Sequence, residues 1–184
     1  DQGVREFILT GVNLGTYESK GNDFLALIDA LAEIPGLDRL RISSIEPTTI
    51  PSELFGMMAD PSHSLMPYLH IPMQSCCDGT LAGMKRKYGM EEMTAFFDSA
   101  AKAIPSLCLG TDLMVGFPGE SEREFEETCD RFLNLPFAYC HVFTFSEREG
   151  TPAVKMDKQV PVEERRLRSA HLRRLSAVKR MSFH

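Results

Sequence analysis

Two short apolar stretches run directly into polar or glycine-rich tips, and these tips are well suited to chemistry. The first spans residues 70–75, HIPMQS, and the second spans residues 111–120, TDLMVGFPGE. In a parallel α/β sheet, the loops that follow the carboxyl ends of the strands share one edge, where ligands bind. Both stretches therefore predict ligand-binding loops at the ends of parallel strands.

Three further strand-like stretches also end in polar residues. Residues 11–15, GVNLG, follow the first strand, and such glycines permit close backbone approach to a ligand or simply form a tight turn. Residues 43–46, SSIE, follow the second strand and could receive an ammonium group or ribose hydroxyls. Equally, the two serines could cap the next turn while Glu46 stays solvated. Residues 143–152 form a polar loop that could close over a substrate.

The glycines of residues 116–119 predict exposed backbone N–H groups immediately before a helix. Such an arrangement suits a carboxylate, a phosphate or a nucleotide. The stretch is not a P-loop, because no Gly-Lys-Ser/Thr follows it. Asp78 is predicted to cap a helix that contains Leu81 and Met84.

Strand patterns alternate with helical patterns along the whole chain. The strands are predicted at residues 6–10, 39–45, 68–73, 109–116 and 139–145. Helices are predicted at residues 24–34, 90–104 and 161–182, and another begins at the capping box Ser121-x-x-Glu124 with Phe125, Cys129, Phe132 and Leu133 on its inner side. This alternation predicts an α/β fold with a parallel sheet.

Composition and cysteine content exclude several classes of protein. The 184 residues suit one domain, no apolar run reaches the length of a membrane span, and we expect a cytoplasmic protein. The five cysteines are odd in number and lack any C-x-x-C spacing, so neither a disulfide framework nor a complete cysteine metal site is predicted. Cys108, Cys129 and Cys140 are predicted to be small buried hydrophobes, and neighbouring Cys76 and Cys77 cannot easily share one metal.

Charge is distributed unevenly. Residues 161–184 contain seven Lys or Arg and two Glu, which gives them a net charge of +5. The net charge of the whole chain is −6, so the other residues together carry −11. A basic terminal helix on an acidic body could contact a polyanion. The alternative is a solvated helix face packed on the domain.

Five stretches, in order along the chain, resemble the radical S-adenosylmethionine methylthiotransferases. They are residues 9–15, 41–47, 69–75 with Met84, Lys85, Arg86 and Tyr88, residues 112–120 with Phe125 and Thr128, and residues 141–153. The versions at residues 10–15 and 43–47 are most similar to the branch that modifies N6-threonylcarbamoyladenosine in tRNA. The branches that act on isopentenyladenosine in tRNA or on a ribosomal protein are the alternatives within the family.

The resemblance implies a partial (β/α) TIM-like barrel that binds S-adenosylmethionine. It also implies [4Fe-4S] clusters in the full-length protein and a tRNA partner, bound near its anticodon loop. By position, Thr10, Gly11 and Asn13 resemble the segment near the methionine amino group. The resemblance implies polar contacts to the methionine or ribose for Ser43, Glu46, Gln74 and Ser75. It also implies that the strand tip beside the adenine is formed by Val115, Gly116, Phe117 and Gly119.

The chain differs from the family pattern in the cysteines that bind the iron–sulfur clusters. It lacks the C-x-x-x-C-x-x-C motif, and Cys76-Cys77 replaces the usual Gly-Ser. We therefore expect a radical SAM core fragment in which residues 1–160 form the β/α units and 161–184 a basic helix. The first strand, the cluster loop, the N-terminal cluster domain and the C-terminal TRAM domain are expected to be missing, and the isolated piece to be inactive. A truncated, non-catalytic tRNA-binding module is the alternative from another class.

Overall fold

The computed structural model describes residues 3–183, in which strands and helices alternate. The strands are β1 (Glu6–Leu9), β2 (Glu18–Ser19), β3 (Asn22–Asp23), β4 (Arg39–Ile42), β5 (Tyr68–Gln74), β6 (Cys108–Val115) and β7 (Tyr139–Thr144). The α-helices are α1 (Phe24–Ala32), α2 (Leu54–Ala59), α3 (Asp78–Gly83), α4 (Met90–Ala103), α5 (Glu122–Asn134) and α6 (Val162–Phe183). All five predicted strands and all five predicted helices are present.

Two short features are absent from the sequence-based prediction. One is α2, in which Leu54 and Met58 are buried four residues apart, a pattern too short to show helical periodicity. The other is the small antiparallel hairpin of β2 and β3. Asp78 also differs from expectation: it is the first residue of α3, and its Oδ1 accepts a 2.7 Å hydrogen bond from the Met90 N–H at the start of α4. Asp78 therefore caps the helix after the one that was predicted.

The chain divides into two compact units, and the first comprises residues 3–72 and 98–109. Here β1 and β4 pair in parallel, with Glu6 opposite Arg39. The Glu6 carboxylate accepts hydrogen bonds from Arg39 Nε and Arg41 Nε, both at 2.7 Å. Hydrogen bonds from these two arginines lower the pKa of Glu6, and its carboxylate links the two strands at the surface.

The second unit comprises residues 73–97 and 110–183. β6 and β7 pair in parallel from Gly110 opposite Tyr139 to Val115 opposite Thr144. α6 packs along β7, where Ser176 Oγ accepts from the Cys140 N–H and donates to the Cys140 carbonyl, both at 2.9 Å. Ser176 thus anchors the helix to the sheet by satisfying backbone groups of the strand.

α6 is 22 residues long and carries seven of the twenty Lys and Arg residues of the chain. Its buried side includes Arg165, Arg168 and Leu172. Within residues 3–183, no helix combines the length and the apolar character needed to cross a lipid bilayer.

The predicted capping box opens α5. The Ser121 hydroxyl accepts a 3.3 Å bond from the Glu124 N–H, and the Glu124 carboxylate accepts a 2.8 Å bond from the Ser121 N–H. On the inner side of the helix Phe125, Cys129 and Phe132 are buried as predicted, whereas Leu133 is exposed. Leu133 is one residue beyond Phe132, and the helical turn per residue places its side chain outside the buried stripe.

We expect Ser121→Ala to lower the free energy of unfolding by about 1 kcal/mol, because the Glu124 N–H loses its acceptor at the helix start. The measurement is urea denaturation of the purified protein. Ser182→Ala is the control, since Ser182 is exposed near the end of α6 and we expect a change within about 0.5 kcal/mol. Equal effects of the two substitutions would contradict a capping role for Ser121.

Candidate functional site

The glycine-rich loop of residues 116–120 is closed by the side chain of its own last residue. Glu120 is buried, and its Oε2 accepts a 2.6 Å hydrogen bond from the Gly116 N–H. Glu120 Oε2 also accepts a 2.8 Å bond from Arg168 Nη1, which donates to the Glu120 carbonyl at 3.0 Å as well. We name residues 116–120 the Gly116 loop.

The N–H groups of both glycines in this loop are used inside the protein. The Gly116 N–H donates to Glu120, and the Gly119 N–H donates to the Lys158 carbonyl at 2.9 Å. The expectation that these glycines expose N–H groups for an anion is therefore wrong. Their conformations still require glycine, because φ is +75° at Gly116 and +91° at Gly119.

Arg165 holds the other side of the loop. A Cβ added to Gly116 would lie 2.3 Å from Arg165 Cγ, so the arginine stem occupies the space of a side chain. The guanidinium donates to the Val160 carbonyl at 2.7 Å, to the Phe145 carbonyl at 3.1 Å and to Glu147 at 2.6 Å. Arg165 thus ties the Gly116 loop to the segment that follows β7.

Arg168 lies one helical turn further along α6, and both of its Nη atoms bind acidic side chains. Besides Glu120, it pairs with Glu122 at 3.1 Å and with Glu164. Burial opposes the charged form of Arg168, yet the hydrogen bond and the negative charge of Glu120 outweigh it and raise the pKa of the guanidinium. Arg168 therefore remains a cation inside the protein.

A cavity of about 330 Å³ opens beside this loop in the second unit. Its lining is mostly apolar, with a few polar side chains, and comprises Gln74, Gly83, Met84, Lys85, Arg86, Met114, Phe117, Thr151, Pro152, Ala153 and Met156. Gln74 ends β5 in the left-handed region, with φ of +71°, and Phe117 packs edge-on against Phe145 at 5.7 Å. An apolar cavity with few polar groups is typical of a site for a small ligand with an aromatic ring.

Of the other predicted residues of this unit, Ser75, Val115 and Gly116 are buried, whereas Gly119 is exposed. The Ser75 hydroxyl lies 3.1 Å from Thr128 Oγ1 and accepts a 3.1 Å bond from the Cys77 N–H. Val115 is buried, and its carbonyl accepts a 2.9 Å bond from the Phe145 N–H. The structure thus places Gln74 and Phe117 on the cavity, while Ser75, Val115, Gly116 and Gly119 shape the strand ends around it.

In the first unit, the loops after β1 and β4 meet at Thr49. Its hydroxyl lies 3.2 Å from Asn13 Oδ1 and donates to the Glu46 carbonyl at 3.0 Å. The Ser43 N–H donates to the Leu9 carbonyl at 2.9 Å. The remaining predicted residues of this unit, Thr10 and Gly11, are exposed. The structure therefore brings Asn13 and Glu46 together through a residue that the sequence did not single out.

Four of the five cysteines are buried. Burial raises the pKa of the Cys76 and Cys77 thiols, that of Cys129 to about 12 and that of Cys140 to about 11. The prediction of buried cysteines is confirmed for Cys129 and Cys140, whereas Cys108 is half-buried. Thiols in such surroundings stay protonated near neutral pH and are poor ligands for iron.

We expect iodoacetamide at pH 8 to alkylate Cys108 well before the other four cysteines. The reagent needs an accessible thiolate, and burial with a raised pKa denies this to Cys76, Cys77, Cys129 and Cys140. Peptide mass spectrometry over a time course makes the measurement, with a guanidinium-unfolded sample in which all five react. Alkylation of Cys76 at the rate of Cys108 would contradict the structure.

Known proteins match most of the chain. Residues 1–132 match the profile of the Radical SAM superfamily. Threonylcarbamoyladenosine tRNA methylthiotransferase of Bacillus subtilis is 40% identical over 163 residues, which cover 87% of this chain and 36% of that protein. The tRNA-2-methylthio-N(6)-dimethylallyladenosine synthase of Streptomyces griseus is 38% identical over 177 residues, 93% of this chain and 35% of that one. The chain thus spans about a third of the length of these relatives.

Solved structures show the same fold at lower identity. Coproporphyrinogen III oxidase from Escherichia coli, a radical SAM enzyme, has a TM-score of 0.60 at 18% identity, over 79% of this chain and 34% of that one. The Elp3 protein of Methanocaldococcus infernus has a TM-score of 0.59 at 18% identity, over 97% of this chain and 44% of that one. These matches confirm the predicted α/β fold of the radical SAM type, and the curated relatives confirm the resemblance to methylthiotransferases. The chain belongs to the radical SAM superfamily.

Proposed function

We propose that this chain is the S-adenosylmethionine-binding part of a tRNA methylthiotransferase. The observation that carries the proposal is the 40% identity to a threonylcarbamoyladenosine tRNA methylthiotransferase over 163 residues. That stretch includes most of the chain, and the five family-like motifs occur in order between residues 9 and 153. We propose N6-threonylcarbamoyladenosine as the nucleoside that receives the methylthio group, beside the anticodon.

The cavity beside the Gly116 loop supports the binding of S-adenosylmethionine. Phe117, Met84, Met114 and Met156 offer an apolar lining for an aromatic base, and Gln74 offers an amide for its hydrogen bonds. Lys85 and Arg86 on the same wall place positive charge where a ligand carboxylate could lie. Bound with an iron–sulfur cluster, this cofactor would supply the radical that activates the substrate carbon.

The protein's own contribution here is to hold the shape of the cavity. Glu120 and Arg168 close the Gly116 loop from within, and this fixes the position of Phe117 on the cavity wall. Met73 at the end of β5 donates its N–H to Thr111 Oγ1 at 3.2 Å, which keeps Gln74 next to β6. Thr10, Gly11, Asn13, Ser43 and Glu46 remain proposed contacts to the methionine and ribose.

The five cysteines do not fit a [4Fe-4S] cluster. Four are buried with raised pKa values, and no three cysteines among residues 3–183 lie close enough to share a metal ion. We propose that the cluster of the active enzyme is bound by cysteines other than these five. No step of the reaction is assigned to them.

A second candidate substrate is N6-dimethylallyladenosine in tRNA. The enzymes from Streptomyces griseus and Thermobifida fusca named for this nucleoside are 38% and 39% identical to the chain. This identity is almost as high as that to the threonylcarbamoyladenosine enzyme.

Mass spectrometry of tRNA nucleosides from a strain that lacks the gene tests the proposal. We expect 2-methylthio-N6-threonylcarbamoyladenosine to disappear and its unmethylthiolated precursor to accumulate, with the gene restored on a plasmid as the control. Loss of the methylthio group from dimethylallyladenosine instead would support the second candidate. Unchanged levels of both nucleosides would overturn the proposed activity.

A further inference from the structure

The cations of α6 fall into two groups, one held in contacts within the protein and one exposed. From residue 165 to residue 183 the helix carries seven Lys or Arg and no acidic residue. Arg165 and Arg168 are buried in the contacts described above, and Lys179 Nζ donates to the carbonyls of Leu133 and Leu135 at 2.9 and 2.6 Å. The remaining four cations are exposed: Arg166, Arg173, Arg174 and Arg180.

Three of these exposed arginines form a row on one flank of the helix. Arg166, Arg173 and Arg180 recur every seven residues, close to two helical turns, which places them on one side about 10.5 Å apart. Arg173 Nη2 donates to the Val142 carbonyl at 3.3 Å, so this flank lies beside β7. Arg166 contacts Glu163 at 3.4 Å in an exposed pair, which is a weak and replaceable partner.

The helix itself does not require this row, although Arg173 also binds a backbone carbonyl of β7. The helix macrodipole favours cations in the last turn, which could explain Arg180 but neither Arg166 near the start nor Arg173 in the middle. Arg173 and Arg180 have no acidic residue three or four positions away within the helix, so they add no intrahelical ion pair.

β7, whose backbone Arg173 contacts, carries three aromatic rings. Tyr139, His141 and Phe143 alternate along the strand and therefore project from the same face. Phe143 is 50% exposed, and the His141 ring lies 5.2 Å from the Tyr139 ring. β7 is also the last strand of its sheet in the described part of the chain. Val142, whose carbonyl accepts the hydrogen bond from Arg173, lies between His141 and Phe143 in the strand.

We propose that this surface binds an unpaired strand of the RNA substrate. Bases stack on the rings of β7, and the phosphates contact the arginine row of α6. Aromatic rings beside a line of cations are the arrangement by which proteins hold single-stranded nucleic acid, and RNA loops present their bases in this unstacked form. The inference rests on the proposed function, because it names where the tRNA would be held.

Fluorescence anisotropy with a labelled tRNA transcript tests the proposal on the protein expressed from its complete gene. The triple variant Arg166→Gln, Arg173→Gln, Arg180→Gln should bind at least roughly 10-fold more weakly at moderate salt, and its salt dependence should fall by about two units of slope. Phe143→Ala should weaken binding roughly 10-fold while leaving the salt slope unchanged. The matched control is Lys20→Gln, Lys102→Gln, Arg123→Gln, which removes the same charge from exposed positions elsewhere.

Equal loss of affinity in the triple variant and its control would overturn the proposal and leave the proposed function standing. If circular dichroism shows that the triple variant is unfolded, cross-linking of the wild-type protein to tRNA containing 4-thiouridine decides instead. Cross-linked peptides from residues 139–144 or 166–180 would support the surface, and cross-links confined to other peptides would overturn it. A wild-type protein that binds no tRNA, with nucleosides unchanged in the deletion strain, would instead show that the proposed function itself fails.

Discussion

Arg168→Met lowers the free energy of unfolding by about 3–5 kcal/mol, the usual result of removing one partner from a buried ion pair. Arg168 and Glu120 have side chains that are 4% and 1% exposed, and their atoms lie 2.8 Å apart. Methionine matches the arginine stem in length and apolar character, so the loss is mainly electrostatic. Without the guanidinium, the Glu120 carboxylate is buried beside the Gly116 N–H with no positive partner.

Urea denaturation makes this measurement, and Arg166→Met is the matched control. Arg166 lies on the same helix but is exposed, so we expect a change within about 0.5 kcal/mol. Adding Glu120→Gln to Arg168→Met should recover part of the lost stability, because the amide oxygen still accepts from Gly116 while the unpaired charge is gone. A double variant less stable than Arg168→Met alone would refute this account.

Gly116→Ala lowers the free energy of unfolding by about 3 kcal/mol or more, since two costs combine. The left-handed backbone costs an alanine about 1–2 kcal/mol. The new methyl group would also lie 2.3 Å from Arg165 Cγ, and relieving such a clash in a packed region costs about 1–3 kcal/mol.

Gly119→Ala isolates the first cost. Gly119 also has a positive φ, but a Cβ there meets nothing within 4 Å. We therefore expect its unfolding free energy to fall by only about 1–2 kcal/mol. Chemical denaturation of both variants makes the comparison. Equal losses would show that Arg165 yields freely and that the space beside Gly116 is not filled as described.

The sequence predicted the elements well because each carried its own periodic pattern. β6 and β7 are short runs in which most residues are apolar, and α5 opens with a capping box that depends on residues three apart. Local patterns of this kind are readable without knowledge of the rest of the chain. α2 escaped prediction because its six residues contain little more than one helical turn.

The surroundings of the site were less predictable, for a physical reason. Glu120 and Arg168 are 48 residues apart, and an acidic residue in a loop or a basic residue on a polar helix is usually solvated. The glycines of the Gly116 loop correctly indicated an unusual backbone, yet that backbone accommodates Glu120 and Arg165 rather than an external anion. Long-range pairing between charged side chains leaves no periodic signal in a single sequence.

α6 follows the Gly116 loop in the sequence, and this order has a consequence for biosynthesis. The ribosome completes the Gly116 loop, α5 and β7 before it adds residue 168, so Glu120 emerges well ahead of its partner. Until α6 has left the exit tunnel, the nascent loop cannot bury this carboxylate favourably and stays hydrated. Co-translational folding of the second unit therefore finishes only once its last helix is available.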